Sequence, residues 1–89
     1  MRARYNSAVR ISVKFFAILK DRAGVAGSTI ELPDQSNVSA AVESIANQFP
    51  SIRNELKRAA FAVNRNYTQS NTILTDGDEL ALIPPVSGG

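Results

Sequence analysis

Apolar and polar residues alternate from Val9 to Phe15, with Val9, Ile11, Val13 and Phe15 on one face and Arg10, Ser12 and Lys14 on the other. A period of two over seven residues predicts a half-buried strand. Phe16 follows on the polar side, an aromatic residue at the strand end or in an exposed patch. Lys20–Gly27 is polar, carries two glycines and reads as a loop. Ser28–Leu32 reads as a second short strand with Ile30 and Leu32 inward, hairpin-paired with the first and broken at Pro33-Asp34.

The period then changes. Val38, Ala41, Val42, Ile45, Ala46 and Phe49 fall at i, i+3, i+4, i+7, i+8 and i+11, one apolar stripe on a helix. Ser36 or Asn37 is placed to cap its first turn, because a short polar side chain accepts from an otherwise unpaired N–H. Pro50 ends it by excluding helical backbone from the residue before it. Ile52 and Leu56, four apart, predict a second short helix within 51–58. Phe61–Val63 resumes a strand, Asn64-Arg65-Asn66 turns the chain, and Tyr67 begins the return. After a turn at Asp76-Gly77-Asp78, Glu79–Ile83 forms the last strand, with Leu80 and Leu82 inward and Ala81 and Ile83 outward.

Strand pairs at both ends of one main helix predict an α+β domain. The most apolar strands are the first and last. Laying them parallel at the centre of a mixed sheet of four to five strands, with the helix packed on one face, gives the β-grasp, or ubiquitin-like, architecture. The division expected is an extension over 1–8, the domain over 9–85 and a tail over 86–89.

Composition removes most chemistry. The 89 residues include no cysteine, histidine or tryptophan. That excludes disulfides, thiolate zinc sites, thiol nucleophiles and the usual neutral-pH general base. Ten basic residues against eight acidic ones leave a formal charge of +2, too even for a nucleic-acid surface unless the cations cluster. Arg2, Arg4 and Arg10 come nearest, and they read as a solvated terminus. Asp76, Asp78 and Glu79 lack the remaining ligands of a calcium loop and read as a hairpin turn. No metal ligands are predicted. With no apolar run of about 20 residues and no secretory leader pattern, the expected location is cytoplasmic, without membrane or nucleic-acid partners.

What remains is the end of the chain, Ile83-Pro84-Pro85-Val86-Ser87-Gly88-Gly89. Proline donates no ladder hydrogen bond, so the last strand stops at Pro84, and two prolines hold the chain extended. Two residues without side chains then carry the terminal carboxylate, and a Gly-Gly end can thread a narrow channel without Cβ collisions. Once adenylated by another enzyme, the Gly89 acyl carbon accepts sulfur or an amine. Such a chain is a carrier with no catalytic residues of its own.

Asp76-Gly77-Asp78-Glu79, an apolar strand and Pro84-Pro85-Val86-Ser87-Gly88-Gly89 resemble the C-terminal signature of the small-subunit family of molybdopterin synthase (MoaD type). Val13-Lys14-Phe15-Phe16-Ala17 resembles that family's first strand and Ala62-Val63-Asn64 its third. The resemblance implies a sulfur carrier. An ATP- and Mg-using activating enzyme (MoeB type) adenylates Gly89, and a sulfur donor converts the acyl-adenylate to a thiocarboxylate. Pro85, Val86, Ser87, Gly88 and Gly89 then enter the active site of a large subunit (MoaE type). There sulfur passes to cyclic pyranopterin monophosphate, within a heterotetramer. No cofactor is bound by the carrier itself. The resemblance further places partner contacts at Phe16, Lys20, Tyr67 and Ile83; Lys20 stands where the family often has arginine and cannot make the same forked contact. The segment Met1–Ala8 has no counterpart in the family pattern.

The same tail suits two other assignments. One is a carrier for thiamine or cysteine synthesis, against which the Pro-Pro-Val-Ser stalk favours the molybdopterin branch. The other is a ubiquitin-like modifier joined through Gly89 to lysines, whose conjugates would survive reducing denaturing gels. A binding domain with an inert tail would instead tolerate loss of Gly88 and Gly89.

Overall fold

The computed structural model describes residues 8–85. Its elements are β1 (Ala8–Phe15), α1 (Ala17–Ala23), β2 (Gly27–Pro33), α2 (Val38–Gln48), a 3-10 turn (Pro50–Ile52), α3 (Arg53–Leu56), β3 (Ala60–Val63), β4 (Asn66–Thr68) and β5 (Glu79–Ile83). The five strands form one mixed sheet in the order β2-β1-β5-β3-β4. β1 and β5 run parallel, and every other neighbouring pair is antiparallel. This is the expected β-grasp.

Alternation decides which face is core. Val9, Ile11, Val13 and Phe15 are all buried on β1, as are Ile30 and Leu32 on β2 and Leu80 and Leu82 on β5. α2 covers that face with Val38, Ala41, Ile45 and Ala46 buried. The Asn37 side chain caps it, accepting from the Ala40 N–H at 2.9 Å. Phe49, at the residue before Pro50, leaves helical backbone and packs edge-on against Phe15, ring centres 5.3 Å apart, a favoured aromatic geometry. Ile52 and Leu56 close the core from the short helical segments that follow.

Two expectations need correction. The segment read as a loop from Lys20 holds most of α1, which runs from Ala17 to Ala23. One fully buried side chain, Leu19, anchors it, and Gly24 stops it in left-handed backbone (φ 81°) that accepts no Cβ cheaply. β1 and β2 pair as expected, but through this helix and not a simple turn. At the pairing's tight end a Cβ on Gly27 would run into the Val13 carbonyl oxygen. Ala8, placed in the N-terminal extension, instead pairs with Pro33 as the first residue of β1; residues 1–7 lie outside the described part.

The turn before β5 is a clamp. Asp76 accepts from the Arg10 N–H at 2.8 Å, and the Gly77 N–H donates to the Arg10 carbonyl at 2.9 Å. Asp78 accepts from the Thr75 N–H at 2.8 Å and from the Asn64 amide at 2.9 Å. The same Asn64 side chain accepts from the Glu79 N–H at 3.0 Å. The acidic triplet that could suggest calcium thus spends Asp76 and Asp78 on locking β5 between β1 and the β3–β4 turn, and no group of residues placed to hold a metal occurs among the described residues. No helix there is long and apolar enough to cross a membrane.

Partial burial raises the Asp78 pKa, but the hydrogen bonds from Thr75 and Asn64 outweigh it and hold the carboxyl below its ordinary value. A depressed folded pKa stabilises the fold above the ordinary carboxylate range and loses that contribution as pH falls through it. Asp78→Ala is expected to cost about 1–3 kcal/mol in urea unfolding at neutral pH. The gap from the parent should narrow as pH drops below the carboxylate range.

Candidate functional site: the outer sheet face and the tail exit

β5 is the strand from which the tail leaves, and its neighbours are fixed by register. Toward β1, Lys14 faces Ala81 and Phe15 faces Leu82. Toward β3, Ala60 faces Ile83 and Ala62 faces Ala81, and Tyr67 on β4 faces Ala62 in turn. Because side chains alternate, Lys14, Ala81, Ile83, Ala60, Ala62 and Tyr67 share the face away from α2.

Phe16, Tyr67 and Ile83 therefore lie on one face, with β5 and β3 between Phe16 and Tyr67, though they come from three distant stretches of sequence. Phe16 is 46% and Tyr67 76% exposed, with Ile83 half-buried. The structure thus leaves Phe16 uncovered, not packed beneath a loop. Between these side chains lies a floor of alanines, Ala60, Ala62 and Ala81. Of these, Ala60 is exposed, Ala81 half-buried and Ala62 buried. Sequence reading missed this floor, since an alanine in a short strand carries no signal until register places it between larger neighbours. Lys14 closes one side in an ion pair with Glu79 at 3.4 Å.

Lys20 sits elsewhere. It lies exposed on α1 and shares an open groove with Lys14, Phe16, Ala17, Gly27 and Ser28. It flanks the outer face through Phe16. Ala17, at the joint, holds left-handed backbone (φ 53°), unusual for a residue with a Cβ. That bend turns the chain from β1 into α1, leaving Phe16 and Ile18 outward and Leu19 inward.

β5 stops at Ile83, as the prolines dictate, and Pro84 and Pro85 continue beyond the ladder. They line a cleft with Ile18, Asn54, Glu55 and Arg58, residues that sequence reading did not single out. Of the predicted tail, Pro85 is described and exposed; Val86, Ser87, Gly88 and Gly89 lie outside the described residues.

Residues 13–89 match the model of the ThiS family. The chain is 35% identical to the molybdopterin synthase sulfur carrier subunit of Arabidopsis thaliana, over 93% of this chain and 86% of the relative. A Pyrococcus furiosus protein named as molybdopterin converting factor subunit 1 superposes with a TM-score of 0.80 at 31% identity, covering 88% of this chain and 99% of that one. In a complex of subunits 1 and 2 of the molybdopterin-converting factor of Helicobacter pylori, the matching chain superposes with a TM-score of 0.63 at 27% identity. The match covers 91% of this chain and 100% of that one.

If the outer patch serves contact and not folding, its residues should be cheap to remove. Tyr67→Ala is expected to change stability by no more than about 0.5 kcal/mol, as at other exposed positions. Leu82→Ala, on the opposite face of the same sheet, should cost about 2–5 kcal/mol. Urea midpoints of the two variants measure the contrast.

Proposed function

The chain belongs to the ThiS family, and from that membership we propose that it is the sulfur-carrying small subunit of a molybdopterin synthase. One structural observation carries the reading: β5, clamped between β1 and β3, ends at Ile83 directly before Pro84-Pro85, on a sheet face that leaves Phe16 and Tyr67 exposed. A partner that grips that face also receives whatever follows the prolines. The family match reaching Gly89 and the sulfur carrier subunit of Arabidopsis thaliana support the same assignment.

The chemistry needs little from this chain. The Gly89 carboxylate attacks the α-phosphate of ATP on an activating enzyme, and pyrophosphate leaves. Sulfide-level sulfur from a donor attacks the acyl carbon and displaces AMP, leaving a thiocarboxylate at Gly89. The tail Pro85-Val86-Ser87-Gly88-Gly89 then enters the large subunit's active site, where the sulfur passes to cyclic pyranopterin monophosphate. Two such transfers complete the dithiolene. Phe16, Tyr67 and Ile83 anchor the large subunit, with Lys20 at the margin. ATP and Mg belong to the activating enzyme. The Helicobacter pylori complex of subunits 1 and 2 supports a large-subunit partner.

Ala81 gives a test of the docking face that spares the tail. Glutamate there would put a charge into the floor of the patch, while its outward position leaves the core intact. Ala81→Glu should fold and still accept sulfur from the activating system, yet lose capture by the large subunit by at least about tenfold in Kd. Loss of Gly88 and Gly89 should do the reverse, leaving docking measurable and abolishing sulfur transfer. Calorimetric titration and a sulfur-transfer assay read the two effects separately. Full transfer by the truncated chain would contradict the carrier role.

A further inference from the structure

Ion pairing leaves an uneven charge pattern. The chain carries ten cations and eight acids, of which Arg2 and Arg4 lie outside the described residues. Four pairs cancel: Arg10–Glu31 at 2.8 Å, Lys14–Glu79 at 3.4 Å, Arg22–Glu55 at 3.1 Å and Arg53–Glu43 at 3.5 Å. Eight charges are left without an ion-pair partner among the described residues: Lys20, Lys57, Arg58 and Arg65 against Asp21, Asp34, Asp76 and Asp78.

Topology sorts these by end. β1 and β5 finish, and β2 and β3 begin, at the end of the sheet where the tail leaves. α1, which follows β1, and α3, which precedes β3, lie at that end and are tied together by the Arg22–Glu55 pair and by Ser51 donating to the Arg22 carbonyl at 3.1 Å. Lys20, Lys57 and Arg58 are therefore at the tail exit, with Asp21 the one unpaired acid there, and Arg58 lines the same cleft as Pro84 and Pro85. The opposite end holds Asp34 after β2, Asp76 and Asp78 before β5, and Arg65 in the β3–β4 turn. Among the described residues the tail exit thus holds three unpaired cations against one unpaired acid, and the opposite end one unpaired cation against three unpaired acids.

We propose that Lys20, Lys57 and Arg58 form a basic collar that guides the tail into a partner whose receiving channel has an acid-lined rim. The partner in question is the large subunit, so the inference rests on the function proposed above. All three side chains are exposed. Exposed charges at the margin of a contact act chiefly on the rate of encounter, and salt screens them. Three exposed cations beside the exit raise the rate at which that end meets an acidic rim. The exposed Phe16 and Tyr67 on the outer face then hold the partner. The collar also gives Lys20 a role that needs no forked contact, because a steering charge requires only its sign.

The test follows association of the full chain with the large subunit by stopped-flow fluorescence across ionic strength. Screening lengths fall from about 30 Å at 0.01 M to about 3 Å at 1 M, so the association rate of the unaltered chain should fall steeply over that range. Combined Lys20→Glu, Lys57→Glu and Arg58→Glu should lower the low-salt rate by at least about tenfold, with dissociation changed by less than about threefold. Asp34→Lys, at the far end, should leave both rates within about twofold. A complex whose association ignores salt, or reversals that change dissociation alone, would overturn the collar while leaving the proposed function standing. No complex at any salt concentration would overturn both. The salt dependence of the unaltered chain decides the matter even if the triple variant folds poorly.

Discussion

The structure hangs on the parallel pairing of β1 with β5. Parallel neighbours need a long crossover, and everything between Phe15 and Glu79 serves as that crossover. The pairing puts the last strand in the middle of the sheet, with β1 on one side and β3 on the other. A strand held on both edges has a fixed direction, so the point at which the chain leaves the sheet is fixed as well. The Asp76–Asp78 turn sets the register. Its two carboxylates hold Arg10 on β1 and Asn64 before β4, and through Asn64 the first N–H of β5.

From that constraint the two faces take different work. Leu80 and Leu82 point to α2 and bind the domain together; Ala81 and Ile83 point outward and build the patch. A one-residue slip of β5 would exchange these sets, burying Ala81 and Ile83 and exposing the leucines. The clamp at one end of β5 is therefore also what keeps the contact surface at the other end correctly composed. Carrier chemistry asks for this kind of rigidity up to Pro85 and for little side chain after it.

Strong periods were readable without coordinates. The strict alternation of Val9 to Phe15 and the six-residue apolar stripe of α2 each repeat often enough to outweigh local noise, and the prolines at 50 and 84 mark ends with a steric reason. α1 escaped because it is one buried leucine, one half-buried alanine and a glycine stop, too short for a periodicity to establish itself. Leu19 and Ala23, four apart and followed by Gly24, were the available signal. The site divides the same way. Phe16, Tyr67 and Ile83 stand out as large apolar residues out of phase with the core. The outward alanines, Ile18 and the collar at Lys57 and Arg58 depend on which strands are neighbours, and that is decided by pairing between segments distant in the chain.

The central claim is that Gly89 is a sulfur-bearing terminus. The most direct check is the intact mass of the protein isolated from its native cell, with fragmentation to locate any change. The account predicts a fraction of molecules in which one oxygen of the Gly89 carboxylate is replaced by sulfur, distinguished by position from the near-isobaric oxidation of Met1. Gly89 found in amide linkage to lysines of other proteins, with no thiocarboxylate at any stage, would contradict it and make the chain a protein modifier.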